Sequence, residues 1–537
     1  MPVTEKNILT RLYIVAGFLF LFAIAVLVKL VSIQMVEGDK YRKLAMDRTE
    51  KMFTIAPKRG NLYSDDGSLL ATSVSRYTIR FDAETVGKRD FEDNVKPLSE
   101  ALAKLLGNSS SHYQQLLRKA KVNKNRYALI ARNLDYSDYV AVKQFPLFNK
   151  GPYKGGLIIE QKIVREHPLG KIAERSVGYE RVDEDGYYTR VGLEGAFGQY
   201  LRGVEGKRLK QKIAKGQWKP IGWDNIVEPK DGYDVVSTID INIQDIAHHA
   251  LLGQLEKYNA EHGCVIVMET KTGEVKAISN LGRTSEGKYY ERLNYAIGES
   301  HEPGSTFKLM SMVVALEDKV IDTNTVIDTE KGTFKVYNRT VRDSKHGGYG
   351  KISAAKAFEV SSNTAFAKII NNNYKDNPEK FVNRLMNMNL HRELGLPVNG
   401  EGTPVMEWDK TILKFEKEVI NPSICSKETA HKVQQLLKDV VEKKHGTGHG
   451  LYSPNFSMAG KTGTTQKNYV SKDPEVMKYI STFAGYFPAD DPKYSCIVVI
   501  HEPDKSVGYY GADVSGPVFK SVAQKIYASS PLVDEVD

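Results

Sequence analysis

Apolar residues cluster along this chain in two ways. Leu12–Val28 (LYIVAGFLFLFAIAVLV) is an unbroken run of 17 uncharged, mostly apolar residues, and after Lys29 an uncharged stretch runs from Leu30 to Met35. Seventeen residues reach the lower limit for crossing a bilayer, and a snorkelling Lys29 lets the helix continue to about Met35. The run is long for a signal-peptide core, and no small-x-small cleavage site precedes GDKYRK, so an uncleaved anchor at 12–35 is expected. Elsewhere the apolar positions alternate or recur with gaps. YTIRFDAETV and GLIIEQKIVRE predict strands, Leu98–Leu106 a helix, and Asn108–Ser111 a polar break. The turn Glu228–Gly232 leads into a strand in YDVVSTID and a helix from about Ile241, which places the main domain boundary there, give or take ten residues.

Beyond residue 230 the pattern is denser. CVIVMETKTGEVKAISN predicts a hairpin turning at Lys271-Thr272-Gly273. After Pro303-Gly304 a helix is expected through LMSMVVAL, apolar nearly all round and so buried on every side. STFAGYFPADDPKYSCIVVIHEP predicts two strands joined by an Asp/Pro turn, and KSVAQKIYAS a closing helix. Strands early and late with helices between them predict an α+β domain whose sheet joins distant parts of the chain. The resulting division is 1–11 ahead of the span, 12–35 the anchor, 36–228 a mixed α/β region, and 229–537 a second domain.

Composition narrows the class. The 537 residues are 41% hydrophobic, 26% charged and 9% aromatic, which fits two to four globular domains and excludes disorder, collagen and a polytopic transporter. Basic residues exceed acidic ones 75 to 66, a mild excess for this length that reads as a slightly basic surface. Three cysteines cannot build a disulfide framework. Cys264 and Cys496 sit in apolar strand-like runs and read as core, and Cys425 has no assigned role. Lys6 and Arg11 precede the span, while Lys29, Lys40, Arg42 and Lys43 come after it. Long domains translocate largely regardless of charge, so a single-pass topology with the N-terminus inside is expected.

The candidate chemistry lies in three short signals: Ser305-Thr306-Phe307-Lys308, Ser361-Ser362-Asn363 and Lys461-Thr462-Gly463-Thr464. A serine hydroxyl is a poor nucleophile unless a neighbouring base takes its proton. Serine and lysine three apart on a helix share a face, so the amine can reach the hydroxyl. Pro303-Gly304 sets Ser305 at a helix start, where the dipole favours developing negative charge. A lysine serves as base only with a lowered pKa, and burial plus a second cation, Lys461, would lower Lys308. Ser361 and Asn363 offer a hydroxyl and an amide to hold the lysine and relay a proton. Met458–Thr464, with Gly460 and Gly463, lets a substrate backbone lie against an edge strand, and its Lys461 and hydroxyls suit a carboxylate. The N–H groups of Ser305 and Thr464 are candidates for an oxyanion hole.

Each signal alone is weak. Ser285–Lys288 and Ser353–Lys356 also match SxxK, Lys271-Thr272-Gly273 matches KTG, and Ser453-Pro454-Asn455 matches SxN. Only the set at 305, 361 and 461 has the flanks and order of a single site. That ordered set is the one found in β-lactamases and penicillin-binding proteins, and the chain resembles a class B penicillin-binding protein over essentially its whole length. Arg59-Gly60-Asn61-Leu62 with Gly67 and Leu70-Ala71 carries the resemblance after the anchor. So do Arg165, Pro168, Gly170, Ala173 and Gly178, and Gly192-Leu193-Glu194 with Leu201, Gly203 and Gly206, and Ser237–Asp240. RLNYAIGESHEPGSTFK, with Glu302 before Pro303, is closest to the division-specific members. Ser64 and Asp65 depart from the family's usual aspartate and arginine.

The resemblance implies a pedestal (dimerisation-like) domain at 36–228, a transpeptidase domain with a central antiparallel sheet flanked by helices at 229–537, and a peptidoglycan D,D-transpeptidase at the bacterial cytoplasmic membrane. It implies Ser305 as nucleophile, Lys308 as base, Ser361 and Asn363 as its partners, and Lys461, Thr462, Gly463 and Thr464 as substrate-binding residues. Stem peptides would be the substrate, β-lactams inhibitors, and a membrane glycan polymerase a partner; no nucleic acid is implied. No metal or organic cofactor is implied either, and the adjacent pair His248-His249 reads as an exposed helix position. The alternatives are an elongation-specific transpeptidase, a β-lactamase or penicillin sensor, and a cell-wall scaffold. Asn363 and the large pedestal weigh against a β-lactamase.

Overall fold

The computed structural model describes residues 5–212, 218–220, 226–390, 395–396, 419–467 and 477–529. The N-terminal apolar run forms one helix, Glu5–Met35, and the most apolar 18 residues within Ile8–Met35 have mean hydropathy 2.8. The 28 residues of Ile8–Met35 rise roughly 42 Å as a helix, more than the ~30 Å hydrocarbon core of a bilayer. The helix is therefore long and apolar enough to cross a membrane.

The chain forms two compact units, Met1–Arg59 with Arg202–Tyr233, and Gly60–Leu201 with Asp234–Asp537. This division cuts across the linear boundary near residue 228, because most of the mixed region groups with the segment from Asp234 onward. In the first unit, Glu50–Ile55 pairs antiparallel with Gly206–Lys212, which also takes Ile226–Val227.

In the second unit, the long strand Leu69–Phe81 pairs with Leu157–Glu166 and Ala128–Leu134. The two alternating segments thus become paired strands, with Tyr77, Ile79 and Phe81 buried. The helix expected at Leu98–Leu106 begins earlier, at Lys88, and carries Pro97 within it. Its buried stripe of Phe91, Val95, Leu98 and Leu102 has helical spacing, and that burial overrides the proline's cost. The polar break is shorter than expected. Ser109 accepts from the His112 N–H at 3.1 Å and starts the next helix, Ser110–Val122. The departures at 64 and 65 still make contacts: buried Ser64 donates to Asp66, and Asp65 accepts from Lys276 at 2.7 Å.

Strands β1 (His262–Glu269), β2 (Val275–Arg283), β3 (Tyr289–Tyr290), β4 (Ala459–Lys467), β5 (Lys478–Phe487) and β6 (Tyr494–His501) form one sheet in the order β3-β2-β1-β6-β5-β4. Every pairing is antiparallel. The predicted hairpin is β1–β2, and the predicted pair near the C-terminus is β5–β6. His262 lies opposite His501, so the sheet joins the start and the end of the domain. Helices α1 (Ile241–Lys257), α2 (Lys308–Glu317), α3 (Ala354–Glu359), α4 (Asn363–Tyr374), α5 (Lys427–Glu442) and α6 (Gly516–Ser529) flank it.

Alternation along the strands sorts their residues between two faces. Val265, Phe483, Val498 and Ile500 pack with Leu251 and Leu255 of α1 and Phe519 and Val522 of α6. A second core joins α2 to α5 through Met312, Leu316, Phe358, Phe366, Leu437 and Val440, and reaches β4 at Ala459. Ser311–Leu316 of α2 is buried throughout, as its all-round apolar pattern predicts. The site is thus suspended between a rigid sheet edge and a helical core. Phe483 is fully buried with its ring centroid 4.7 Å from that of Phe519. Phe483→Ala is expected to destabilise this unit by about 3–5 kcal/mol, read as a fall in its thermal unfolding midpoint; an unchanged midpoint would refute this account of the core.

Candidate active site

Ser305 lies on a 3-10 turn, Gly304–Phe307, that runs directly into α2 at Lys308. The sequence predicts an ordinary α-helical start here. The tighter turn matters, because at three residues per turn side chains three apart eclipse. Lys308 Nζ accordingly lies 3.2 Å from Ser305 Oγ. Gly304 has φ +58°, and a Cβ there would sit 2.2 Å from Thr465 Oγ1. Glycine is required on both counts. The Thr465 hydroxyl donates to the Glu302 carbonyl at 3.2 Å, and the Thr306 hydroxyl to the Pro303 carbonyl at 2.6 Å. The turn is therefore pressed against β4 and fixed at both ends.

Lys308 Nζ also meets Ser361 O at 2.7 Å, Ser361 Oγ at 3.0 Å and Asn363 Oδ1 at 2.6 Å. Ser361 has φ +55° in the short link between α3 and α4, and this turns both its carbonyl and its hydroxyl towards the amine. Asn363 Nδ2 donates to the Arg342 carbonyl at 2.9 Å, which orients Oδ1 to the lysine. Burial pushes the Lys308 pKa down from 10.5 to about 7, against the opposing charge of Asp343. A neutral amine has two N–H donors and one lone pair. The two shortest contacts go to Ser361 O and Asn363 Oδ1, which can only accept, so they take both N–H groups. The lone pair is left for a hydroxyl, and Ser305 Oγ is in reach.

Lys461 behaves differently from its sequence-based expectation. It is only 1% exposed, its amine donates to the Thr462 carbonyl at 3.1 Å, and it lies 5.7 Å from the Phe358 ring centroid. Burial first, and then the charge of Lys308, hold its pKa well below the usual lysine value. The Lys308 pKa is lowered by burial and not by the charge of Lys461, the second cation expected to do it. Thr462 is buried too, and its hydroxyl donates to Thr447 Oγ1 at 2.8 Å. Neither side chain lines the cleft. The cleft, about 330 Å³, is lined by Glu302, Gly304, Ser305, Lys308, Asn363, Thr464, Thr465 and Gln466. The structure therefore brings Ser305, Lys308, Asn363 and Thr464 to one cavity, with Ser361 touching the lysine from behind. Gly463 packs against Thr306 and Pro303, with room for no more than a tight Cβ. Thr465 and Gln466 were missed; they follow the Lys461–Thr464 signal directly on β4.

The competing motif matches have other roles. The Ser353 hydroxyl caps α3 by accepting from the Lys356 N–H at 3.1 Å, and Lys271–Gly273 lies in the β1–β2 turn. His249 is exposed as expected, whereas His248 is half-buried with its pKa lowered by burial. Among the described residues one trio has metal-ligand composition: His262, Glu299 and His501, with donor atoms within 4.8 Å of one another. Its two imidazoles stack at 4.2 Å and 23°, and His262 Nε2 lies 2.7 Å from Glu299 Oε2. Stacked rings aim their in-plane lone pairs side by side instead of at one point, so the trio as arranged is a hydrogen-bonded stack.

Comparison with known proteins gives matches over most of the chain. The penicillin binding protein transpeptidase domain matches residues 263–414 and 398–524, and the penicillin-binding protein dimerisation domain matches residues 54–237. The chain is similar to stage V sporulation protein D of Bacillus subtilis, 24% identical over 97% of this chain and 86% of the relative. It is also similar to peptidoglycan D,D-transpeptidase FtsI of Escherichia coli, 24% identical over 95% of this chain and 90% of the relative. Among solved structures, penicillin binding protein 2X from Streptococcus thermophilus shares the fold with TM-score 0.67 and 20% identity, over 90% of this chain and 80% of that one. A peptidoglycan synthetase from Bifidobacterium adolescentis does so with TM-score 0.60 and 19% identity, over 89% and 96%.

The geometry around Lys308 generates a direct measurement. In protein carrying ¹³C-labelled lysine, the Lys308 ε-carbon is expected to titrate near pH 7, well apart from the exposed lysines. Titration at the ordinary value of 10.5 would remove the neutral amine from the site.

Proposed function

The chain belongs to the class B penicillin-binding proteins, and from that membership we propose that the cleft at Ser305 is the active site of a division-type peptidoglycan D,D-transpeptidase. The observation that carries the assignment is the Lys308 amine, 2.7 Å from Ser361 O and 2.6 Å from Asn363 Oδ1, two acceptors for its N–H groups, and 3.2 Å from Ser305 Oγ.

The chemistry rests on these groups. Ser305 Oγ attacks the carbonyl between the two terminal D-alanines of a stem peptide as Lys308 takes its proton. The N–H groups of Ser305 and Thr464 receive the developing oxyanion. Collapse breaks the C–N bond, the leaving amine takes a proton from the Lys308–Ser361 pair, and D-alanine departs from a Ser305 ester. An amine of a neighbouring stem attacks that ester, gives up its proton through the same lysine, and frees the Ser305 hydroxyl with the cross-link formed. A lysine held near 7 is matched to both directions of transfer at neutral pH. The terminal carboxylate is bound by the hydroxyls of Thr464 and Thr465, both of which line the cleft, with Lys461 and Thr462 buried. Gly463 lets the turn carrying Ser305 lie close against β4. The position of β4 at the edge of the sheet supports alignment of the substrate backbone along it. β-Lactams resemble the D-alanyl-D-alanine end and acylate Ser305 in its place.

Around this chemistry, residues 12–35 serve as a single-pass anchor with the N-terminus inside, residues 36–228 as the pedestal, and 229–537 as the catalytic domain on the outer side of the cytoplasmic membrane. Anchor and pedestal engage a membrane glycan polymerase.

Full-length protein is expected to form a fluorescent-penicillin adduct that persists for hours, and Ser305→Ala to form none. An adduct lost within seconds would instead make the protein a β-lactamase. The acylation rate should rise with pH as Lys308 loses its proton and level off above about 7; a rate that falls over that range would exclude Lys308 as base. A glycan polymerase should co-purify with the full chain and not with residues 230–537, and equal recovery would sink the proposed partnership.

A further inference from the structure

The Ser361–Asn363 turn lacks a carboxylate of its own, since its middle position is Ser362, where the SDN form of the motif has aspartate. The fold supplies one from another segment. Asp343 comes directly after the hairpin Thr333–Val336 and Arg339–Arg342. Its carboxylate accepts the Ser362 hydroxyl at 3.0 and 3.1 Å and the Thr364 N–H at 2.9 Å. Ser362 is fully buried and also caps α4, accepting from the Ala365 N–H at 3.0 Å. The adjacent Arg342 carbonyl accepts from Asn363 Nδ2 at 2.9 Å. Two consecutive residues of one segment thus grip the turn that wraps Lys308. They hold Ser361 in the left-handed conformation that a residue with a side chain adopts only under constraint.

We infer, on the assignment of Lys308 as base, that Asp343 is a positioning residue: its carboxylate locks the Ser361–Asn363 turn on the lysine, and its charge sets the pH at which the lysine becomes a base. The titratable groups around Lys308 are Asp343 behind the turn, Lys461 on β4 and Glu302 at the cleft rim. Burial alone would drive the amine to a lower pKa and so to weaker basicity; the Asp343 charge opposes it. Asp343 and Lys308 have no direct hydrogen bond: Ser362 and Thr364 hold the carboxylate, which acts on the lysine through space. A carboxylate bonded straight to the ammonium would hold it protonated. One set a layer back tunes the amine without trapping it.

The test is the pH dependence of β-lactam acylation by the full-length protein in detergent, between about pH 5 and 9, for wild type, Asp343→Asn and Asp343→Glu. Asparagine keeps an acceptor for the Thr364 N–H and the Ser362 hydroxyl and removes the charge. Its rising limb is expected to move to lower pH by about one unit, with a lower plateau from the weaker base. Glutamate keeps the charge and displaces the hydrogen bonds, so its rates should fall with the limb left where the wild type has it. An Asp343→Asn limb that superimposes on the wild type, or an Asp343→Glu limb that shifts with it, would reduce Asp343 to a helix-cap partner. If Asp343→Asn does not fold, the Asp343→Glu limb alone decides the charge effect. A wild type that acylates with no rising limb at all would overturn the base assignment and the inference together, and is distinguishable because no variant is needed to see it.

Discussion

Everything at this site depends on taking one ammonium out of water. Lowering the Lys308 pKa from 10.5 to about 7 corresponds to about 5 kcal/mol favouring the neutral form. That is comparable to a sizeable share of a domain's net stability, so it persists only where the surrounding structure is fixed by something stronger. Here the fixing element is the helical core of α2 to α5, in which Ser311–Leu316 is buried without interruption. The lysine sits at the first residue of α2, with its stem on the apolar helix and its amine in the polar niche at the helix start. Hydrogen bonding then selects the protonation state that desolvation prefers: two obligate acceptors for two N–H groups, and a serine for the lone pair.

The second constraint is register. A nucleophile on the turn before α2 and a binding strand at β4 come from segments more than a hundred residues apart in sequence, and they meet because the sheet order places β4 at the edge beside that turn. A one-residue slip of β4 against β5 would turn every β4 side chain to the opposite face. The pairing of Gly460 with Gly485 guards against this, since a Cβ on Gly460 would meet the Phe483 ring at 2.6 Å and one on Gly485 the Ala459 carbonyl at 2.2 Å. Core packing and site register are thus the same set of contacts.

Legibility in the sequence tracks the range of the interactions involved. The anchor, the β1–β2 hairpin, the β5–β6 pair and the SxxK spacing are all set within about thirty residues, and each appears where periodicity and turn residues put it. The α+β class and the ordered set of three motifs came from residue patterns, and the family resemblance added the domain names and the residue roles. Side-chain direction was not legible. Lys461 and Thr464 sit in the same short motif, yet one is interior and the other lines the cleft, a distinction set by packing against elements that lie elsewhere in the chain. The 3-10 start of α2 was equally hidden, because it is imposed by Thr465 of β4 pressing on Gly304. The early start of the helix at Lys88 shows burial winning over local propensity at Pro97.

Burial, the cause of these differences, also bears on the chemistry. Lys461 reads from sequence as a cation for a substrate carboxylate, and the structure makes it a buried amine next to another buried amine. Two ammonium groups in one low-dielectric niche cannot both stay charged, and the pair gives up protons in sequence. Burial first, and then the charge of Lys308, hold the Lys461 pKa well below the usual lysine value, while Lys308 is the lysine within reach of Ser305. A buried neutral lysine behind the binding strand is then not a failed ligand. It fills the volume under β4 and satisfies the Thr462 carbonyl.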